Sequence, residues 1–342
     1  MSEPFLKHMK AAVDSMCAMR LALTAFLALL GVIAGTGCRA AESGDDAMAW
    51  LMKIAAASRQ INYAGTFVYQ HGRKMETSRI AHMADASGEY EKLETLDGPP
   101  HEIIRNNDNV TCYFPDTKTV TIEKRTLRQF PAMLPEQLSG ITENYAVSKG
   151  RQERVAGYDC QVVVLEPKDN LRYGRKFCAE LASGLPLQAR TINEKGEMVD
   201  LFVFTQLTIG RGVTKDMLKS RFASQSSAWH VERAVTAQSE SGADSGWAVK
   251  NPLAGFKKLT EMKRLVAGRS SPVSQVVYSD GLAAFSVFVE PLPKSPPVAG
   301  ASYQGAVNMY VRPLSDQMVT VVGETPARTV KQMAESITLK DR

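Results

Sequence analysis

At 342 residues the chain is long enough for two domains, each with a core of its own. Its 44% hydrophobic and 23% charged residues are ordinary for a globular protein. The net charge of +5 is small for this length and gives no sign of a nucleic-acid partner.

Residues 1–40 read as a leader, which carries the cations Lys7, Lys10, Arg20 and Arg39 against Glu3 and Asp14; without it the net charge falls to +3. The apolar run 21–33 follows Arg20 and precedes Gly35-Thr-Gly-Cys-Arg-Ala-Ala41. That is the pattern of a secretory signal peptide, too short for a comfortable bilayer span. Cleavage after Ala40 would put Cys38 and Ala40, both small, at the two recognised positions. An uncleaved anchor and lipidation at Cys38 stay open, although Gly35 stands where a lipoprotein signal prefers Leu. Translation from Met19 would leave Arg20 as the whole basic region. The mature chain is expected outside the cytoplasm.

Next comes an amphipathic helix over 45–59: Met48, Leu51, Ile54, Ala55 and Ser58 recur at helical spacing, and Asp45 and Asp46 suit its positive end. Strands are predicted at 63–70, 74–83, 89–96, 101–106, 110–114 and 119–124, separated by Gly, Asn, Asp and Pro. Residues 131–140 break the pattern, with a short helix expected over 135–141. The stretch 155–210 then reads as a meander of four strands. Its reversals fall at Lys168-Asp-Asn170, Ser183-Gly184 and Asn193-Glu-Lys-Gly196. Residues 214–222 suggest helical turns and 229–235 a last strand.

The segment 237–246 has no large apolar residue and reads as a flexible linker. The domains are therefore placed at 41–236 and 247–342. The second offers strands at 257–266, 273–279, 284–290, 306–311 and 318–322, with a loop at 291–297. Thr325-Pro326 starts a helix whose stripe is Val330, Met333, Ala334 and Ile337.

Past the leader the cysteines are Cys112, Cys160 and Cys178. If the first reversal of the meander centres on Asp169, Cys160 and Cys178 face each other across a hairpin, and a disulfide is expected in an oxidising compartment. Cys112 fits a small core position.

Catalytic motifs are missing. Gly210-Arg-Gly212 continues as Val-Thr-Lys and makes no phosphate loop, and no G-x-S-x-G occurs. The histidines are His8, His71, His82, His101 and His230. His71 and His82 can meet across a hairpin but lack a carboxylate pattern, so no metal is expected. Ser279-Asp280-Gly281 is a hairpin turn signal rather than a nucleophile. No catalytic residue and no cofactor are assigned.

Six stretches carry a family resemblance: Arg154-Val-Ala-Gly-Tyr-Asp159, Leu165-Glu-Pro-Lys-Asp-Asn-Leu-Arg-Tyr-Gly174, Gly184-Leu-Pro-Leu187, Pro252-Leu-Ala-Gly-Phe256, Tyr278-Ser-Asp-Gly-Leu282 with Phe285-Ser-Val-Phe-Val289, and Val322-Gly-Glu-Thr-Pro326. Together and in this order they resemble the RseB/MucB family of periplasmic regulators. The cysteine pair and the long leader depart from the pattern.

The resemblance implies an α+β protein. Its first domain would be an open antiparallel β half-barrel of the LolA/LolB type with helices on the concave face, and its second a smaller α+β domain. It also implies a non-enzymatic periplasmic role: binding the periplasmic part of a membrane-spanning anti-sigma factor, shielding it from the site-1 protease, and releasing it on a lipid or lipopolysaccharide signal. A lipoprotein or lipid carrier chaperone is the alternative, and a homodimer is compatible with either. Candidates for the lipid cavity are Phe67, Tyr69, Ile80, Tyr113, Val162 and Val164. Candidates for the partner surface are Gly255, Phe256, Lys257, Lys258, Ser279, Asp280 and Gly281.

Overall fold

The computed structural model describes residues 44–124, 134–135, 138–233, 246–264, 273–293 and 298–340. The leader with Cys38, and the linker 237–246 except Gly246, lie outside the described residues.

The chain opens with α1 (Gly44–Gln60) and six strands in hairpin succession: β1 (Tyr63–His71), β2 (Lys74–Asp85), β3 (Gly88–Thr95), β4 (Glu102–Asn106), β5 (Asn109–Phe114) and β6 (Thr119–Lys124). After α2 (Ile141–Asn144) come β7 (Tyr145–Val155), β8 (Tyr158–Pro167), β9 (Gly174–Glu180), β10 (Pro186–Ile192) and β11 (Met198–Ile209). A 3-10 turn at Lys215–Leu218 leads towards β12 (His230–Arg233). These strands form one sheet in the order β12-β6-β5-β4-β3-β2-β1-β11-β10-β9-β8-β7, antiparallel throughout except for β12 beside β6. Its ends, β12 and β7, do not pair, so the sheet is open.

The sheet is strongly curled at its β7 end. Strands β7 and β11 are four steps apart, about 19 Å in a flat sheet, yet their residues come within 8 Å of each other. Irregularities at Thr66/Phe67, Lys149/Gln152 and Thr191/Ile192 accompany the curl, since an extra residue on one strand bends it. Helix α1 packs Leu51, Ile54 and Ala55 on Val163, Leu165, Phe177 and Ala179 of the sheet.

The second domain is smaller. It consists of β13 (Trp247–Val249), β14 (Lys257–Arg264), β15 (Val273–Ser279), β16 (Ala284–Pro291), β17 (Gly300–Gln304), β18 (Val307–Leu314), β19 (Gln317–Gly323), α3 (Ala327–Ser336) and β20 (Ile337–Leu339). Six strands make a sheet in the order β14-β15-β16-β19-β18-β17, while β13 pairs with β20 and so ties the start of the domain to its end. Val330, Met333, Ala334 and Ile337 bury against Phe285, Val287, Val319 and Val321, as the helical stripe predicts. The α+β class, the open antiparallel sheet and the smaller second domain all match expectation.

Local differences have physical reasons. Strand β7 escapes the sequence reading because it is the edge of the sheet. Its charged residues Lys149, Arg151, Glu153 and Arg154 suit an edge that must not recruit another strand. The short helix forms at Ile141–Asn144 rather than over 135–141, and Pro326, not Thr325, is the N-cap of α3. Strands β13, β17 and β20 span only three to five residues and leave no periodic signal. His71 and His82 do not meet, because β1 pairs them with Lys74 and Tyr63 at opposite ends of the hairpin.

Cys160 and Cys178 form a disulfide with their Cα atoms 5.4 Å apart. They are not directly opposed, however. Cys178 faces Val162, and Cys160 faces Glu180. The reversal centres one residue later than Asp169, because Leu171, Arg172 and Tyr173 leave the turn to meet the second domain. The bond therefore runs diagonally across the hairpin. It closes a sequence separation of 18 residues, so replacing both cysteines by alanine should lower the unfolding free energy by about 2–4 kcal/mol. Denaturant titration of the oxidised and substituted chains measures this; equal midpoints would show that the bond adds no constraint.

Candidate functional site

Residues directly opposed across neighbouring strands share a face of the sheet, so the register sorts the candidate cavity residues. One row runs Val163, Phe177, Ala189, Phe202 and Tyr69 across β8, β9, β10, β11 and β1. Phe67 and Ile80 lie on this apolar face too, in a buried cluster with Tyr63, Leu185, Phe202 and Phe204. Phe67, Phe202 and Phe204 fill the space with ring centroids 5.0–6.1 Å apart. Val162 and Val164 belong to the opposite face: Val162 leads through Cys178, Gln188 and Val203 to Val68. Tyr113 is also on that second face, in the row Thr66, Arg79, Glu94, Glu102, Tyr113. The six candidates are thus divided between two faces. A period of two puts Val163 and Leu165, not Val162 and Val164, beside Phe67 and Tyr69.

The second face is polar over β2, β3 and β4. Arg79 and Arg221 both reach Glu94, at 3.4 and 2.8 Å, and Lys92 pairs with the fully buried Glu102 at 2.9 Å. Arg221 and the Lys219 carbonyl hold the segment after β11 over this network. A cavity of about 430 Å³ opens beneath it, lined by Arg79, Lys92, Glu94, Gln206, Asp216 and Met217 among others. Of the six candidates only Ile80 reaches its wall.

The densest polar chemistry lies where the two domains meet. Arg172, from the β8–β9 reversal, points its Nε at Asp280 Oδ2, 2.6 Å away; the side chains are 1% and 0% exposed. Tyr145 donates its hydroxyl to the same oxygen at 3.1 Å, and Arg172 Nη2 donates to the Ala254 carbonyl at 2.8 Å. Asp169 completes the guanidinium's set of partners. The guanidinium also lies 4.8 Å from the Phe256 ring centre, a cation–π contact that gains from exclusion of water. Burial, and then the neighbouring Asp280, push the Tyr145 phenol far above its ordinary range, so it serves as a fixed donor. Asp280 Oδ1 meanwhile accepts from the Leu282 and Ala283 amides, which fixes the turn that presents it.

The backbone at this joint leaves no room. Gly255 has φ +77°, and a Cβ there would sit 2.8 Å from Arg172 Nη2 and overlap Asn144. On either side, Thr329 donates to the Leu171 carbonyl at 2.8 Å, Asn308 donates to the Tyr173 hydroxyl at 2.8 Å, and Arg175 pairs with Glu324 at 3.1 Å. Leu282 packs against the core that α1 forms with β8 and β9.

The candidate partner surface is therefore divided as well. Phe256, Ser279 and Asp280 are buried, while Gly255, Lys257, Lys258 and Gly281 are exposed, Gly255 with its inner side against Asn144 and Arg172. In the sequence the turns at 252–256 and 279–281 read as outward features. No motif there singles out Arg172, which sits among the quoted family residues, or Tyr145. The available signal was an arginine flanked by Leu171 and Tyr173 in a reversal: apolar neighbours in a turn call for a docking partner. Among the described residues no group of three or more His, Cys, Asp and Glu is placed to hold a metal ion.

Arg172→Ala would leave Asp280 buried without its cation, and removing one partner of such a pair costs about 3–5 kcal/mol. Urea unfolding of the full chain should show a loss of that size. A change below about 1 kcal/mol would mean that the pair is hydrated in solution. Gly255→Ala should destabilise through strain at the same joint.

Comparison with known proteins agrees with the two-domain architecture. The MucB/RseB N-terminal domain model matches residues 46–222, and the MucB/RseB C-terminal domain model matches residues 241–338. The Sigma factor AlgU regulatory protein MucB of Pseudomonas aeruginosa is 32% identical over 322 residues, covering 92% of this chain and 96% of the relative. The Sigma-E factor regulatory protein RseB of Escherichia coli strain K12 is 22% identical over 292 residues, 84% of this chain and 89% of the relative. Among solved structures, the complex of Pseudomonas aeruginosa MucA and MucB matches with a TM-score of 0.69 at 29% identity, over 87% of this chain and 100% of that one. A crystal structure of MucB in complex with MucA(peri) matches with a TM-score of 0.68 over the same shares. With both domain models matched in order along it, and a relative of 32% identity spanning nearly all of it, this chain belongs to the MucB/RseB family.

Proposed function

We propose that the chain is a non-enzymatic periplasmic regulator that binds the periplasmic part of a membrane-spanning anti-sigma factor. The observation that carries this reading is the match, across both domains, to MucB structures solved with MucA and MucA(peri). The curated relatives bear the names of sigma-factor regulatory proteins, in keeping with action by binding rather than by chemistry. On this reading the complex shields the anti-sigma factor from site-1 proteolysis, and the leader 1–40 directs the chain across the inner membrane.

The lipid or lipopolysaccharide signal would act at the apolar face of the first domain. That face is filled by the chain's own Phe67, Phe202 and Phe204, so an acyl chain must displace side chains to enter. Such a ligand releases the partner only if it binds the partner-free state more tightly. Opening a packed face as it binds gives it a way to do so. The exposed Lys257 and Lys258 beside the joint suit an acidic stretch of the partner.

The test is co-purification of the mature full chain with the periplasmic region of an anti-sigma factor from the same organism, followed by protease challenge. Retention of the partner and a slower first cleavage are expected. Absence of any complex, with lipid transfer between vesicles instead, would make the chain a carrier and overturn the regulatory reading.

A further inference from the structure

A second contact between the domains touches the apolar face directly. His71 ends β1 and lies opposite Asp200 of β11, one row beyond the pair Tyr69 and Phe202. Asp200 Oδ2 accepts from the Tyr69 hydroxyl at 3.3 Å, and Oδ1 lies 3.0 Å from His71 Nδ1. The same Oδ1 accepts from the Ala306 amide of the second domain at 3.1 Å. One carboxylate therefore joins a side chain of the apolar face to the β17–β18 turn of the other domain.

The turn fits closely. Gly305 has φ +54°, and a Cβ there would overlap Asp200 Oδ1 and lie 2.6 Å from His71 Cε1. Gly72, at the tip of the β1–β2 hairpin, would bring its own Cβ to 3.1 Å from the Gly305 nitrogen. Glu324 and, through Tyr69, Arg175 complete the charges around the site. Burial raises the Asp200 carboxyl above its ordinary value, and it raises the Tyr69 phenol as well. Asp200 is buried, so these contacts rather than water satisfy its oxygens.

Tyr69 belongs to both structures. Its ring packs on the cluster of Phe67, Phe202 and Phe204 and stacks on His71 at 5.8 Å, while its hydroxyl reaches Asp200. We propose that Tyr69, Asp200 and the Ala306 amide form the latch through which a ligand on the apolar face loosens the second domain. This rests on the reading that an amphiphile enters that face. An acyl chain among the phenylalanines must move the Tyr69 ring, and that withdraws the hydroxyl from Asp200. His71, stacked on the Tyr69 ring, is displaced with it, so the carboxylate loses both side-chain partners, turns towards water and releases the Ala306 amide. The Arg172–Asp280 and Asn308–Tyr173 contacts do not involve Tyr69 and stay in place, so the second domain loosens at this turn rather than detaching. Coupling of this kind is reciprocal: loosening the turn must also loosen the face.

Hydrogen exchange read by mass spectrometry on the full chain tests the latch, with dodecylphosphocholine below its micelle concentration as the probe and calorimetry to establish binding. In the native chain the probe should speed exchange in 300–308 by about tenfold or more, the least that one hydrogen bond to a charged group is worth. Tyr69→Phe, which lacks the hydroxyl, should exchange faster in 300–308 without the probe, and should bind the probe without further response. Asp200→Asn should exchange about tenfold faster in 300–308 without any probe and respond no further. Gly305→Ala, whose Cβ meets Asp200 and His71 but none of the phenylalanines, should speed exchange in 64–69, beyond that clash, as well as in 300–308.

Binding of the probe with unchanged exchange in 300–308, or a native response in Tyr69→Phe, would overturn the latch. If the probe does not bind at all, the ligand reading fails. The Gly305→Ala chain then decides the coupling: faster exchange in 64–69 upholds it, and native exchange there overturns it.

Discussion

The buried pair of Arg172 and Asp280 is the interaction on which the two-domain arrangement depends. Taking both charges out of water costs several kcal/mol per ion, and the site offsets this with near-complete satisfaction. Arg172 is met by Asp280, Asp169, the Ala254 carbonyl and the Phe256 ring, while Asp280 is met by Arg172, Tyr145 and two backbone amides. A pair this complete specifies geometry more than it adds stability. Sliding either domain by one residue would leave a charge unpaired in the interior. Gly255 enforces the same geometry sterically.

This joint explains why the quoted family stretches look disconnected in the sequence yet act together. Leu171, Arg172 and Tyr173 come from one stretch, Ala254, Gly255 and Phe256 from another, Asp280 from a third and Glu324 from a fourth. All of them meet within one contact region. The domains are therefore not beads on a linker. Whatever freedom residues 237–246 would allow on their own, the described parts of the two domains are held by hydrogen bonds, ion pairs and apolar packing at several points.

Much of the fold is legible in the sequence because its signals are local. The alternation and turn residues of 63–124 and 155–210 place nearly every strand of the large sheet, and the stripe of Val330, Met333, Ala334 and Ile337 places the last helix. The edge strand β7 is not legible, since solvent on one side and charge along its length erase the pattern. Candidate site residues fare worse for a physical reason. Adjacent valines at 162 and 163 point to opposite faces, and composition alone does not say which face is which. Ser279-Asp280-Gly281 is read correctly as a turn, but whether a turn faces water or another domain depends on contacts more than a hundred residues away in sequence. Asp200 looks like an ordinary strand-end carboxylate until the register sets His71 and Tyr69 around it.

A joint built on this pair requires Arg172 and Asp280 to be energetically coupled in solution. The direct measurement is a double-mutant cycle, comparing the unfolding free energies of the native chain, Arg172→Ala, Asp280→Ala and the double variant. A close, desolvated charge pair predicts a coupling of about 1.5 kcal/mol or more, with the double variant less destabilised than the sum of the single ones. Additive losses, with a coupling within about 0.5 kcal/mol of zero, would contradict it.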